Sequence, residues 1–159
     1  PGSQTFYLTP TGSTATTLFT AEVLAVTPGA RSNAYVVGDT GAWQVYRLQQ
    51  DLAPFSNAAK VSLFNGSFNH QLLDLYVLDR GVAFDEDSLA RAIIIGGGFA
   101  SSVVTLAEGS YDIYVTSSGT RDVRDGPFEL DVALGDVFLL LAVDEVDPEA
   151  VSIVDPFAP

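Results

Sequence analysis

The chain has 159 residues, 47% of them hydrophobic, which suffices for one large domain or two small ones with a buried core. Its 20 acidic side chains face 7 basic ones, and a formal net charge of −13 excludes a nucleic-acid surface, which needs clustered Lys and Arg. Cys and Met are both absent, which excludes a disulfide framework, thiolate catalysis and sulfur-ligated zinc.

In chain order, short runs of β-branched and aromatic residues separated by Gly, Pro, Asn, Asp and Ser clusters predict strands. They fall at Thr5–Leu8, Glu22–Val26, Ala34–Val37, Trp43–Leu48, Lys60–Phe64 and Leu73–Val77. The second half continues with Ala92–Ile95, Ser102–Leu106, Ser110–Thr116, Phe128–Val132, Val137–Val143 and Val151–Val154. Single helical turns are expected at Ser13–Thr20 and Asp85–Arg91. The longest apolar run, Val137–Val143, is far short of the roughly 20 residues that span a bilayer, so no membrane span is expected. A chain that begins at Pro1 without Met predicts a longer precursor whose signal peptide or N-terminal part is removed.

An internal repeat orders these strands. Phe6-Tyr7-Leu8 matches Leu75-Tyr76-Val77, with Tyr7 and Tyr76 69 positions apart, and Val23–Val26 aligns with Ile93–Gly96. Gly41-Ala42-Trp43-Gln44-Val45-Tyr46 matches Gly109-Ser110-Tyr111-Asp112-Ile113-Tyr114 at a spacing of 68. In each Gly-x-aromatic motif, strand alternation sends Trp43 and Val45, or Tyr111, Ile113 and Val115, toward a core. Tyr46 and Tyr114 then face the other way. The expected fold is all-β: two related Ig-like, antiparallel β-sandwich units, residues 1–57 (incomplete at the N-terminus) and 58–159.

Three segments of the second half carry a family pattern: Val61-Ser62-Leu63-Phe64-Asn65-Gly66-Ser67, Leu73-Asp74-Leu75-Tyr76-Val77, and the run Glu108-Gly109-Ser110-Tyr111-Asp112-Ile113-Tyr114-Val115-Thr116-Ser117-Ser118-Gly119. Across most of residues 59–143 the chain resembles the secreted bacterial Domain of Unknown Function 4397 (DUF4397) family. The first half matches less fully, departing at Trp43 and Arg47. The resemblance implies export, a β-sandwich and extracellular or cell-surface placement, and brings no catalytic residues.

The two halves are unequal. Lys60–Phe64 precedes the Tyr76 strand, whereas only six residues precede Tyr7, and the first half has no counterpart of Phe128–Val132 or Val137–Val143. An incomplete sandwich exposes unpaired backbone and apolar surface. Either the halves merge into one sandwich or a neighbouring subunit supplies a strand. Val151, Ile153, Val154 and Phe157 form a segment that is either the last strand of its own unit or a donor in trans; Phe6 and Leu8 complete the interface candidates. Val137–Val143, apolar on both faces, is a central strand covered twice or part of a subunit interface.

Other sites are weaker. His70 stands in a polar turn without a second His or a nucleophile elbow, which argues against catalysis. Gly96-Gly97-Gly98 predicts a bulge or close backbone approach rather than a phosphate loop. Acidic clusters at Asp85-Glu86-Asp87, at Asp122 with Asp125, and at Asp144, Glu145, Asp147 and Glu149 are calcium candidates without EF-hand spacing, the last being the one retained, and no other cofactor is expected. The Ser/Thr-rich stretch Thr9–Thr20 and Asn65-Gly66-Ser67 are candidate glycan carriers. The expected function is non-enzymatic: an extracellular structural subunit forming a homo-oligomer, fibre or pilus-like filament by inter-subunit strand pairing. The rival expectation is a monomeric surface module that binds a glycan or other ligand on Tyr46, Tyr114 or Trp43.

Overall fold

The computed structural model describes residues 2–13, 15–26, 32–37, 42–49, 53–144 and 151–154. The described residues are all β, with a strand at each of the twelve segments expected from the sequence. The two expected helical turns do not form. At Asp85 the carboxylate accepts the backbone NH groups of Asp87 and Ser88, each at 3.0 Å, so the side chain satisfies the donors that a first helical turn would leave open. The segment then enters a strand at Ala90. Near Ser13–Thr20 the Leu18 NH donates to the Leu8 carbonyl at 2.7 Å, drawing the chain into strand pairing.

The chain divides into two compact units between Asp51 and Leu52, ahead of the 57/58 boundary read from the sequence. The first contains β1 (Gly2–Leu8), β2 (Phe19–Val26), β3 (Ser32–Val37) and β4 (Gln44–Gln49). They form two two-stranded antiparallel sheets, β1-β2 and β3-β4.

The second unit is a β-sandwich of eight strands: β5 (Ala59–Asn65), β6 (Leu72–Asp79), β7 (Ala90–Gly96), β8 (Val104–Leu106), β9 (Gly109–Ser117), β10 (Val123–Val132), β11 (Val137–Asp144) and β12 (Val151–Val154). One sheet has the order β10-β9-β6-β7 and the other β12-β11-β5-β8. Alternation places Val61 and Leu63 of β5, Leu73 and Leu75 of β6, Ile113 and Val115 of β9 and Leu140 and Ala142 of β11 in one core between the sheets. Pairing is antiparallel except for β5 with β11, which run parallel from Lys60 opposite Val137 to Asn65 opposite Ala142. No hairpin joins these two strands; most of the unit lies between them, which is the long connection that a parallel pair requires.

Strand β11 lies between β12 and β5. Leu140 and Ala142 point into the core, and Leu139 on the opposite face is buried as well, which accounts for a run without polar alternation. Strand β12 pairs with β11 of its own unit, Leu141 opposite Val154 through Asp144 opposite Val151. Of the two roles open to this segment, the structure shows the one in cis.

The repeat is visible in the pairing. β1-β2 and β6-β7 are both antiparallel, closing on Gly2 opposite Val26 in one and Leu72 opposite Gly96 in the other, with a register shift just inside that end in each. The later strands diverge: β9 pairs with β6 and β10, whereas its sequence counterpart β4 pairs with β3.

Candidate functional site

The Asn65–Gln71 loop is organised by one buried amide. The Asn65 Nδ2 donates to the carbonyls of His70 (3.0 Å) and Ile95 (2.9 Å), and its Oδ1 accepts the Ser67 NH at 3.0 Å. The Asn65 backbone NH donates to the Phe99 carbonyl, and its own carbonyl accepts the Gly98 NH at 2.7 Å. At Gly97 a Cβ would lie 3.1 Å from the side-chain Oε1 of Gln71, whereas the nearest backbone atom, the Ser67 carbonyl oxygen, is at 3.6 Å, so what comes close is a side chain rather than the backbone expected of the glycine triplet. Full burial of Asn65 closes it as a glycan carrier, because the nitrogen that would bear the sugar is enclosed and already donates twice.

Asp144 fastens the other side of this loop. Its carboxylate accepts the Ser67 hydroxyl, the Phe68 NH at 2.7 Å and the Asn69 NH at 3.3 Å, while the Ser67 Oγ accepts the His70 NH at 2.7 Å. Both carboxylate oxygens are thus engaged in holding the turn. The other calcium candidates of that cluster, Glu145, Asp147 and Glu149, lie outside the described residues, as does Phe157. Among the described residues no three acidic or histidine side chains converge as a metal cage. The Asp85 carboxylate caps its own turn, and Asp122 pairs with Arg124 at 2.7 Å.

On the outer face of the β10-β9-β6-β7 sheet, Tyr76 and Tyr114 lie opposite each other on neighbouring strands. Phe84, from the loop that follows β6, stacks on Tyr114 with ring centroids 5.0 Å apart and meets Tyr76 edge-on, also at 5.0 Å. The Arg121 guanidinium lies 5.1 Å from the Tyr76 ring and donates to the Glu86 carbonyl at 2.8 Å, so that it holds the Phe84 loop as a lid over the two tyrosines. Arg80 reaches Asp131 at 3.1 Å beside the Asp112 carboxylate, which accepts the Gly81 NH. Tyr114, expected as a stacking platform, therefore already has an aromatic partner. In the first unit the Tyr46 hydroxyl donates to the Gln44 side chain, and Trp43 is half-buried just ahead of β4. Phe84→Ala is expected to lower the stability of the second unit by about 2 to 3 kcal/mol, from the lost ring contacts and the opened lid, as measured by urea denaturation.

The sheet margins differ in how far they resist pairing with another chain. β10 is blocked by Pro127, which has no NH to offer a further strand. β8 and β12 are short, and β12 lies beside β10 on one flank of the sandwich. β7 is long and apolar, with Arg91 its one charge. In the first unit, β1 bears the interface candidates Phe6, opposite Ala21, and Leu8, opposite Phe19. The candidates Val151, Ile153 and Val154 sit on β12, already paired with β11.

The roles of three residues lay beyond the sequence reading. Phe84 had a signal, an aromatic at the end of the short apolar run Val82-Ala83-Phe84 between strands, which marks a residue to be buried. The roles of Asn65 and Arg121 depend on segments far along the chain and leave no local mark. No family model matches this chain, and no curated protein matches it.

Proposed function

We propose that the protein is a non-catalytic structural subunit of an extracellular or cell-surface assembly, a fibre or filament whose copies are joined by strand pairing. The observation that supports this best is the β1-β2 pair. Each of these strands has one partner strand among the described residues, and an isolated two-stranded ribbon is marginally stable in water. A third strand from another copy adds a hydrogen-bond ladder and covers apolar side chains. Tyr7, 64% exposed on β1, is a large side chain left for such a partner. The resemblance of residues 59–143 to exported sandwich repeats supports the placement outside the cell. A ligand-binding role for Tyr114 would first have to displace the stacked Phe84 ring.

Negative-stain microscopy and sedimentation of the concentrated protein are expected to show elongated oligomers. Compact monomers from the unaltered protein at every concentration would overturn the assembly function.

A further inference from the structure

We propose, building on that assembly function, that copies join through β7 of one and β2 of the next, with Arg91 opposite Glu22. β7 has β6 as its one partner strand among the described residues, and its surroundings are apolar: Leu89 is 78% exposed, Ile93 62% and Phe99 69%. Phe99 lies against the end of the strand, where a Cβ at Gly96 would be 3.3 Å from its ring.

Guarded margins carry Pro, Lys or inward charges, as β10 carries Pro127. β7 has none of these. Between Leu73 and Leu75 of β6, β7 runs from Ile95 to Ala92, one residue more than its partner, and that bulge turns Ile93 to solvent.

Charge selects the partner. In a chain of 20 acidic and 7 basic residues, β7 presents one cation and no anion. Among the strands with a single partner strand, β1, β3, β8 and β12 carry no charge, β4 carries Arg47, and β10 mixes both signs with a proline. β2, Phe-Thr-Ala-Glu-Val-Leu-Ala-Val, combines one carboxylate with no cation, Gly or Pro, and is one residue longer than β7. Opposite charges facing each other across a strand pair favour it, and like charges oppose it. Because β2 and β7 are different surfaces, the contact is head-to-tail, which builds an open filament unless its rotation closes a ring.

The chain lacks Cys, so single-cysteine variants report contacts without background. Mixing Glu22→Cys with Arg91→Cys under mild oxidation is expected to give a covalent dimer that neither variant gives alone. Arg91→Glu, at an exposed position, is expected to raise the concentration needed for assembly about tenfold, and adding Glu22→Arg to the same chain to restore it. Filaments that persist in Arg91→Glu without a 22–91 cross-link would overturn this pairing and leave the assembly function standing. Dimers of Arg91→Cys alone would replace it with a two-fold β7 contact. An unaltered protein that never exceeds a monomer would remove both.

Discussion

Asn65→Leu is expected to cost the second unit about 4 kcal/mol or more, a large share of the roughly 5 to 15 kcal/mol typical of a domain. The substitution leaves the Ser67 NH and the His70 and Ile95 carbonyls without their partner in a site where Asn65 itself has no exposure. Each orphaned group carries a desolvation penalty. Urea denaturation is expected to show a lower midpoint with an unchanged slope, and hydrogen exchange to accelerate first at Ser67, His70 and Gly98. Asn65→Asp separates shape from hydrogen bonding, because it keeps the outline and replaces the donating NH2 by an oxygen facing two carbonyls. A carboxylate there is disfavoured, so the folded-state pKa of the introduced acid lies above its unfolded value. The folded state then binds the proton more tightly, and stability falls as pH rises through the interval between the two values. The deficit of Asn65→Asp relative to the parent is expected to be largest at neutral pH and to shrink on acidification, whereas that of Asn65→Leu stays constant.

The same residue shows where sequence reading stops. Asn65-Gly66-Ser67 is legible as a turn, because its three residue types favour one locally. Which carbonyls the amide would meet depends on Ile95 and His70, brought together by pairing across the sandwich. The strands were legible for the corresponding reason: alternation and turn residues are local, and all twelve segments carry them. Partners were less so. The motif shared by β4 and β9 predicts equivalent strands, yet β9 finds β6 and β10 while β4 finds β3, since among the described residues of the first unit no strand is equivalent to β10. The interface candidates Phe6 and Leu8 were read from composition and lie on a margin strand. Ile93 was not, because Ile93-Ile94-Ile95 gives no sign of which isoleucine a bulge will turn outward; that follows from the mismatch between β7 and β6. Acidic clusters were legible as charge, but not the bonds they make: the Asp85 carboxylate serves its own turn, and that of Asp144 serves the distant Asn65–Gln71 loop.

Gly126→Ala is expected to destabilise the second unit by about 3 to 4 kcal/mol, far more than an exposed glycine replacement ordinarily does. Gly126 has φ of +127°, and an added Cβ would lie 2.6 Å from the Ile113 carbonyl oxygen, 2.7 Å from Tyr114 Cδ1 and 3.0 Å from Tyr114 Cα. Two of the three atoms are backbone of the central strand β9, which cannot swing aside as a flexible side chain would. Relief requires β10 to lift away from β9 between Asp125 and Phe128, where the register already shifts. Gly119→Ala provides the control: φ is +75° with nothing within 4 Å of the new Cβ, so only the left-handed backbone penalty of about 1 to 2 kcal/mol applies. The difference between the two variants in urea denaturation isolates the steric contact. Because Gly126 sits in the bulged, proline-bearing margin, its replacement is also expected to loosen the guard on that side of the sheet. Faster amide exchange at Ile113 and Val115, accompanied by amorphous aggregates rather than filaments, would show that β10 restrains unspecific pairing while ordered assembly proceeds from other margins.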